Sequence, residues 1–174
     1  MKKLVIVDYN GMAYKYMYGV NVRFSVNLHG SKVDTTIPAF TIKEIVKLSK
    51  NGVYDLAVVR DLGQSEKRTK ELKVKFGMNY KEGRKSAPKI LYESIDLTFD
   101  ILRKACISTY AIQGVEADDI IASLIHLYSS FYDSIDIYTG DKDLIPLVDD
   151  KVSIMFRRNK YYLEINKKNY SNVL

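Results

Sequence analysis

Short apolar runs that end on an aspartate are the most restrictive feature of this sequence. Leu4 to Val7 is a continuous run rich in β-branched residues, and it closes on Asp8 within the turn-like Asp-Tyr-Asn-Gly. Asp55 to Val59 finishes two residues before Asp61, and Ile135 to Tyr138 runs into Thr139-Gly140-Asp141-Lys142-Asp143. The first two, short and without polar alternation, read as strands buried on both faces, and Ile135 to Tyr138 as a further strand, each leaving an acid at or soon after its carboxyl end. Between them lie stretches with helical spacing. Ile37 to Lys50 carries Phe40, Ile45, Val46 and Leu48 and stops at Asn51-Gly52; Ile90 to Cys106 is a second stretch. Ala117 to Ser130 is a third, with Ile120, Ile121, Leu124, Ile125 and Leu127 on its apolar side. Thr109 to Ile112 adds a short strand, and a short helix limited by Pro146 follows Asp143. Residues 20–36 read as polar and irregular. This alternation predicts an α/β fold, a mainly parallel central sheet with helices on both faces, whose ligand site lies beyond the strands' carboxyl ends. Asp8, Asp61 and Asp141 would share that edge. At the end of the chain, Val152 to Phe156 and Tyr161 to Ile165 flank Arg157-Arg158-Asn159-Lys160, which predicts a C-terminal β-hairpin with a four-residue loop.

A chain of 174 residues, 47% hydrophobic, can bury one sizeable core and is short for two, so a single domain over residues 1–174 is expected. The net charge of +6 is concentrated: residues 66–89 hold nine basic and three acidic residues, a local excess equal to that of the whole chain. Cys106 is the single cysteine and cannot form an intrachain disulfide; its apolar helical setting predicts a buried, unreactive thiol in a reducing compartment. The first apolar run ends after four residues, far below a signal-peptide core or a membrane span, so an intracellular, cytoplasmic protein is expected.

Glu116-Ala117-Asp118-Asp119 places three acids in the first turn of a helix, with Glu116 and Asp119 on nearly the same face. Acids there are also what helix capping demands, and Asp141-Lys142-Asp143 has the same alternative as a turn and N-cap. Taken together with Asp8 and Asp61, seven carboxylates converge on one sheet edge. Like charges about 4 Å apart repel by on the order of 4 kcal/mol at an effective dielectric near 20, so such a cluster calls for cations or raised pKa values. Hard divalent ions, Mg²⁺ or Mn²⁺, match an all-oxygen donor set, and two of them together suit phosphodiester hydrolysis. Zinc lacks support, because His29, in a loop, and His126, on a helix, have no ligand spacing with the one cysteine. A Ser or Cys nucleophile with a His base is unsupported too, and the scattered glycines exclude a phosphate-cradling loop.

The basic stretch interleaves Arg68, Lys70, Lys73, Lys75, Lys81, Arg84 and Lys85 with Phe76 and Tyr80. That is the composition of a surface that holds phosphates and exposed bases, and also of a solvated loop. Within it Tyr80 is suited to stacking a base, and Lys81 and Arg84 to neutralising a phosphate under attack.

The order of these motifs resembles the flap-endonuclease, or 5′-nuclease, family of the wider PIN-like group, most closely its bacteriophage members. The likeness runs from about Lys3 to Tyr162. It is carried by Val5-Ile6-Val7-Asp8 with Lys15 downstream, Asp61, Arg68, Tyr80-Lys81-x-x-Arg84, Gly114-Val115-Glu116-Ala117-Asp118-Asp119 and Thr139-Gly140-Asp141-Lys142-Asp143-Leu144. The last two are the specific ones. The resemblance implies a metal-dependent 5′-3′ exonuclease or flap endonuclease in which Asp8, Asp61, Glu116, Asp118, Asp119, Asp141 and Asp143 hold two Mg²⁺ or Mn²⁺ ions, directly or through water. It implies that residues 66–89 form an arch or clamp over a single-stranded 5′ arm, with Lys15, Arg68, Tyr80, Lys81 and Arg84 at the substrate and the last two, with Asp8 and Asp141, in catalysis. The implied partner is DNA with a 5′ flap, with RNA or RNA/DNA hybrids as the alternative. Family members often place Phe before the acid that follows the second strand, where this chain has Arg60. They also continue into a helix-hairpin-helix region with further acids, so a missing C-terminal duplex-binding domain or a partner protein is expected. A nucleic-acid-binding module with a crippled metal site and a PIN-type ribonuclease are the rival readings.

Overall fold

A computed structural model describes residues 1–50, 52–63, 65–76, 87–158 and 161–170. Its spine is a six-stranded sheet in the order β5-β4-β1-β6-β7-β8, made from β1 (Lys3–Asp8), β4 (Asp55–Val59), β5 (Ser108–Tyr110), β6 (Ser134–Thr139), β7 (Val152–Arg158) and β8 (Tyr161–Ile165). All neighbours are parallel except β7 and β8, which pair antiparallel as the C-terminal hairpin. The expected α/β architecture is therefore present, with strand β4 at the predicted bounds.

The buried runs have the predicted cause. Along β1, Leu4 and Ile6 face one side and Val5 and Val7 the other, and all four are buried. The first side is covered by α5 (Ala117–Tyr128), through Ile120, Ile121 and Leu124, and by a 3₁₀ turn (Lys142–Leu147) through Leu144 and Ile145. The second is covered by α1 (Tyr9–Tyr18), α2 (Thr36–Leu48) and α4 (Lys89–Lys104). Those three helices share a buried polar knot, in which the Tyr9 hydroxyl donates to Thr98 Oγ1 at 2.8 Å and lies 3.2 Å from Thr41 Oγ1.

Several expectations are corrected. Asp-Tyr-Asn-Gly is no turn: β1 passes directly into α1, whose buried Tyr9, Met12, Ala13 and Met17 recur at helical spacing. Residues 20–36 contain a two-stranded hairpin, β2 (Ser25–Leu28) and β3 (Ser31–Asp34), joined by His29 and Gly30, both with positive φ as a two-residue type I′ connection requires. The basic stretch opens with a helix, α3 (Glu66–Phe76). The C-terminal hairpin does not have a four-residue loop, because β7 extends through Arg157 and Arg158. Cys106 is exposed, with φ 57°, and belongs to the turn that ends α4.

The chain moves from β1 outward to β4 and β5, then returns to place β6 on the other side of β1. The reversal makes a crevice at the carboxyl ends of β1 and β6, the position where open α/β sheets bind ligands. Asp8 closes one of these strands, and Asp141 lies two residues past the other.

Candidate metal centre and nucleic-acid interface

Asp8 occupies the N-cap position of α1, with extended backbone, yet makes no capping bond. Its carboxylate instead accepts a 2.8 Å hydrogen bond from Thr139 Oγ1 on β6, so it is turned across the crevice. Thr139 is buried, and its Oγ1 also accepts from the backbone N–H of Asp141 at 2.9 Å, which fixes where the Gly140-Asp141 loop leaves the strand. Burial raises the Asp8 carboxyl most; the Thr139 bond lowers it, and the charges of Asp118, Asp61 and Asp141 raise it further, to about 7 from its ordinary 3.8. Acids from the loop after β4, the first turn of α5 and the loop after β6 thus lie near enough to act on Asp8.

Asp61 reaches the same edge from the end of β4 and links two other elements. Its Oδ1 accepts the Ala117 backbone N–H at 2.7 Å, the first residue of α5, while Oδ2 accepts from Asn10 Nδ2 at 3.1 Å. It therefore performs the N-terminal capping of α5 that the sequence offered to Glu116-Ala117-Asp118-Asp119. Glu116 sits at the N-cap but makes no side-chain cap bond, and it is buried; Asp118 is half-buried and Asp119 exposed. The loop before α5 is held against the Asp61 loop by a bridge between Leu62 and Gln113 and by a 2.8 Å bond from Gly114 N to Leu62 O. Gly63 suits that position through its φ of 83°, a left-handed conformation that an L side chain would strain. For Asp141 the capping reading does hold: its Oδ1 accepts the Asp143 N–H at 3.0 Å, and both acids are exposed.

Arg60, where the family often has Phe, is buried over the Phe99 ring at 4.6 Å and pairs with Asp96 at 2.6 Å. The guanidinium is held against α4, which carries both Phe99 and Asp96. A narrow cleft of about 40 Å³ adjoins Asp8, lined by Gly11, Met12, Tyr138, Thr139, Gly140, Arg157 and Tyr162. Arg157 and Tyr162 were not singled out as site residues by the sequence, and the pair of arginines before the hairpin tip was their available signal. Lys15, on α1, is held by Glu44 of α2 at 2.7 Å. Arg68 lies on α3, while Tyr80, Lys81 and Arg84 lie outside the described residues.

The donor set is entirely oxygen, and its mutual repulsion at Asp8 is what a hard cation would relieve. Among the described residues, however, no three His, Cys, Asp or Glu side chains stand close enough together to hold one ion directly. The acids fit an ion that keeps much of its water, which is the habit of Mg²⁺.

The family described as 5′-3′ exonuclease, N-terminal resolvase-like domain, matches residues 3–172. The chain belongs to that family. A curated 5′-3′ exonuclease of Buchnera aphidicola subsp. Acyrthosiphon pisum (strain APS) is 34% identical over 118 residues, 68% of this chain and 39% of that relative. Among solved structures, the T5 D15 protein co-crystallised with metal ions superimposes with a TM-score of 0.76 at 22% identity, over 99% of this chain and 60% of that one. The bacteriophage T5 D15 flap endonuclease in a complex with DNA and metal ions gives 0.72, also at 22%, over the same shares. The chain thus spans 39% to 60% of the length of these relatives, and the structural likeness establishes the shared fold.

Proposed function

We propose that this resolvase-like domain is the catalytic part of a divalent-metal-dependent, structure-selective 5′ nuclease that hydrolyses phosphodiesters of DNA at flaps and 5′ ends. The observation that carries the reading is the convergence on Asp8 of carboxylates from the loop after β4, the start of α5 and the loop after β6, at the crevice where the sheet reverses direction. The family match and the metal and DNA content of the T5 D15 complex support it. Asp8, Asp61, Glu116, Asp118, Asp119, Asp141 and Asp143 would hold two Mg²⁺ or Mn²⁺ ions. When bound, such ions supply water activation and charge neutralisation at a phosphodiester.

The chain's own groups do the rest. Thr139 orients the Asp8 carboxylate, Asp61 sets the start of α5 and with it the direction of Asp118, Arg157 lines the cleft with positive charge for a phosphate, and Lys15, one turn beyond the lining Gly11 on α1, is assigned to the same task. Lys81 and Arg84 are assigned to the scissile phosphate and Tyr80 and Arg68 to the single-stranded arm, within one domain over residues 1–174. Apolar burial across the sheet needs none of these groups, so neutralising one acid should spare the fold. Asp118→Asn is expected to lower cutting of a labelled 5′-flap DNA in Mn²⁺ by at least about a hundredfold, with its melting temperature kept. Comparable cutting by the variant would reject the metal assignment; an unmodified chain that binds the flap in EDTA yet leaves it intact with excess Mn²⁺ would favour the non-catalytic binding module. Faster cutting of single-stranded RNA than of any DNA would favour the ribonuclease.

A further inference from the structure

We propose that Glu44 is a positioning residue for this reaction: one carboxylate ties Lys15 and the C-terminal hairpin to the flank of the Asp8 cleft, so that Lys15 meets the substrate phosphate in a fixed place. The inference rests on the nuclease reading of the same site.

Glu44 lies on α2 and takes hydrogen bonds from three directions. Lys15 Nζ donates to Oε2 at 2.7 Å, the Tyr16 hydroxyl donates to the same oxygen, and the Tyr162 hydroxyl of β8 donates to Oε1 at 2.7 Å. A single acid thereby joins α1, α2 and the hairpin, elements that are otherwise distant in sequence. Burial alone would raise the Glu44 carboxyl, but these donors outweigh it and hold it below the usual carboxylate range, so it stays ionised. Lys15 Nζ also stands 4.4 Å above the centre of the Tyr16 ring. An ammonium has three protons to donate, and the bond to Glu44 uses one.

The network reaches the cleft directly through Tyr162, and Lys15 follows a lining residue on α1. Gly11 lines the cleft, and Lys15 is one turn further along α1 on the same face. Tyr162 lines it too and packs edge-on against Tyr138 with ring centres 4.9 Å apart, one residue before the Thr139 that bonds Asp8. Arg157, the register partner of Tyr162, completes that wall. A lysine stem left to itself samples many rotamers; a partner that holds it beforehand removes that ordering from the reaction step. Glu44 supplies the holding without contacting the reacting atoms.

The test is a double-mutant cycle on the full chain, reading single-turnover cleavage of a 5′-flap DNA in Mn²⁺ beside flap affinity in EDTA. Glu44→Gln keeps the shape of the side chain and removes its charge. It is expected to slow cleavage about tenfold while affinity changes less than about threefold, and to slow a Lys15→Ala chain by less than about twofold, because its effect passes through Lys15. Glu44→Ala, if it folds, should show the same dependence on Lys15, and Tyr162→Phe should reproduce a smaller part of the loss. A merely structural Glu44 would give the same fractional loss in both backgrounds, or a loss that disappears on cooling, and either result overturns the proposal. An unmodified chain that cuts no substrate overturns the nuclease reading and this inference with it; normal cutting with independent losses overturns the role of Glu44 alone.

Discussion

The Asp8 carboxylate is held away from its own helix and among other acids, and this has a cost that can be measured without any substrate. Its carboxyl is raised from 3.8 to about 7, first by burial and then by Asp118, Asp61 and Asp141. The folded chain therefore binds this proton more tightly than the unfolded chain does, and ionising Asp8 destabilises the fold. That penalty is absent below about pH 4, grows between about pH 4 and 7, and is complete above pH 7. One pKa unit corresponds to about 1.4 kcal/mol, and solvent at this partly open site reduces the total, so about 2 kcal/mol is expected. Asp8→Asn keeps an acceptor for Thr139 and removes the charge. In EDTA at pH 8 it should raise the melting temperature by about 4 to 8 °C, with the gain vanishing toward pH 4. An equal gain at both pH values would show that Asp8 charge is not what strains the site. The sequence made Asp8 and Asp141 legible because each follows an apolar run. It could not show that Asp61 spends both oxygens on α5 and Asn10, nor that Glu44 binds Lys15, since those contacts join residues 56, 51 and 29 positions apart.

Elements were legible where burial imposed a period and illegible where it did not. Strands β1, β4 and β6 and helix α5 each carry an apolar set that the sheet requires. The β2–β3 hairpin lies apart from that sheet and most of its residues are exposed, so no such pattern marks it; His29-Gly30 was its only local signal. Helix α1 is disguised by Asn10-Gly11, a dipeptide that reads as a turn, although Tyr9, Met12, Ala13 and Met17 preserve the helical spacing. Helix α3 has a strongly charged sequence and resembles a loop for that reason. The end of α4 shows how a reading based on apolar context fails at a single residue. Cys106 N–H bonds Arg103 O at 3.0 Å and Ile107 N–H bonds Leu102 O at 3.0 Å, the paired bonds of a Schellman turn, with Leu102 and Ile107 both packed in the core. Cys106 is the left-handed residue of that turn, where glycine is the usual occupant, and this puts its thiol outside. Cys106→Gly should relieve the strained φ and stabilise the chain by about 0.5 to 1 kcal/mol, read as a higher urea midpoint at unchanged slope. A lower midpoint would mean that the thiol makes contacts worth more than the strain.

At the scale of the whole molecule, the acidic edge and the basic excess are separated by very little chain. Helix α3 begins five residues after Asp61, so the segment whose local charge equals the protein's net +6 starts a short stretch of chain away from an acid of the crevice. An acidic centre repels the polyanion it is proposed to cut, and divalent ions relieve that only once they are bound. A neighbouring basic helix can hold the strand at a distance from the acids in the meantime. Lys73 and Lys75, in the last turn of α3, are exposed and suited to that task. Each phosphate they neutralise releases counterions and steepens the salt dependence of binding, by about 0.9 in log–log slope for duplex and about 0.7 for single-stranded DNA. Replacing both with Gln should lower the slope by about 1.4 to 1.8, measured by anisotropy of a labelled 5′-flap DNA in EDTA between about 50 and 200 mM salt. Lys47 and Lys104 supply the control, because they end α2 and α4 at the opposite end of the strands, and their double replacement removes the same net charge. If binding responds only to the total charge, both pairs will lower the slope alike, and α3 loses its assignment as the contact surface. If α3 is where the phosphates sit, only the Lys73 and Lys75 pair will change it.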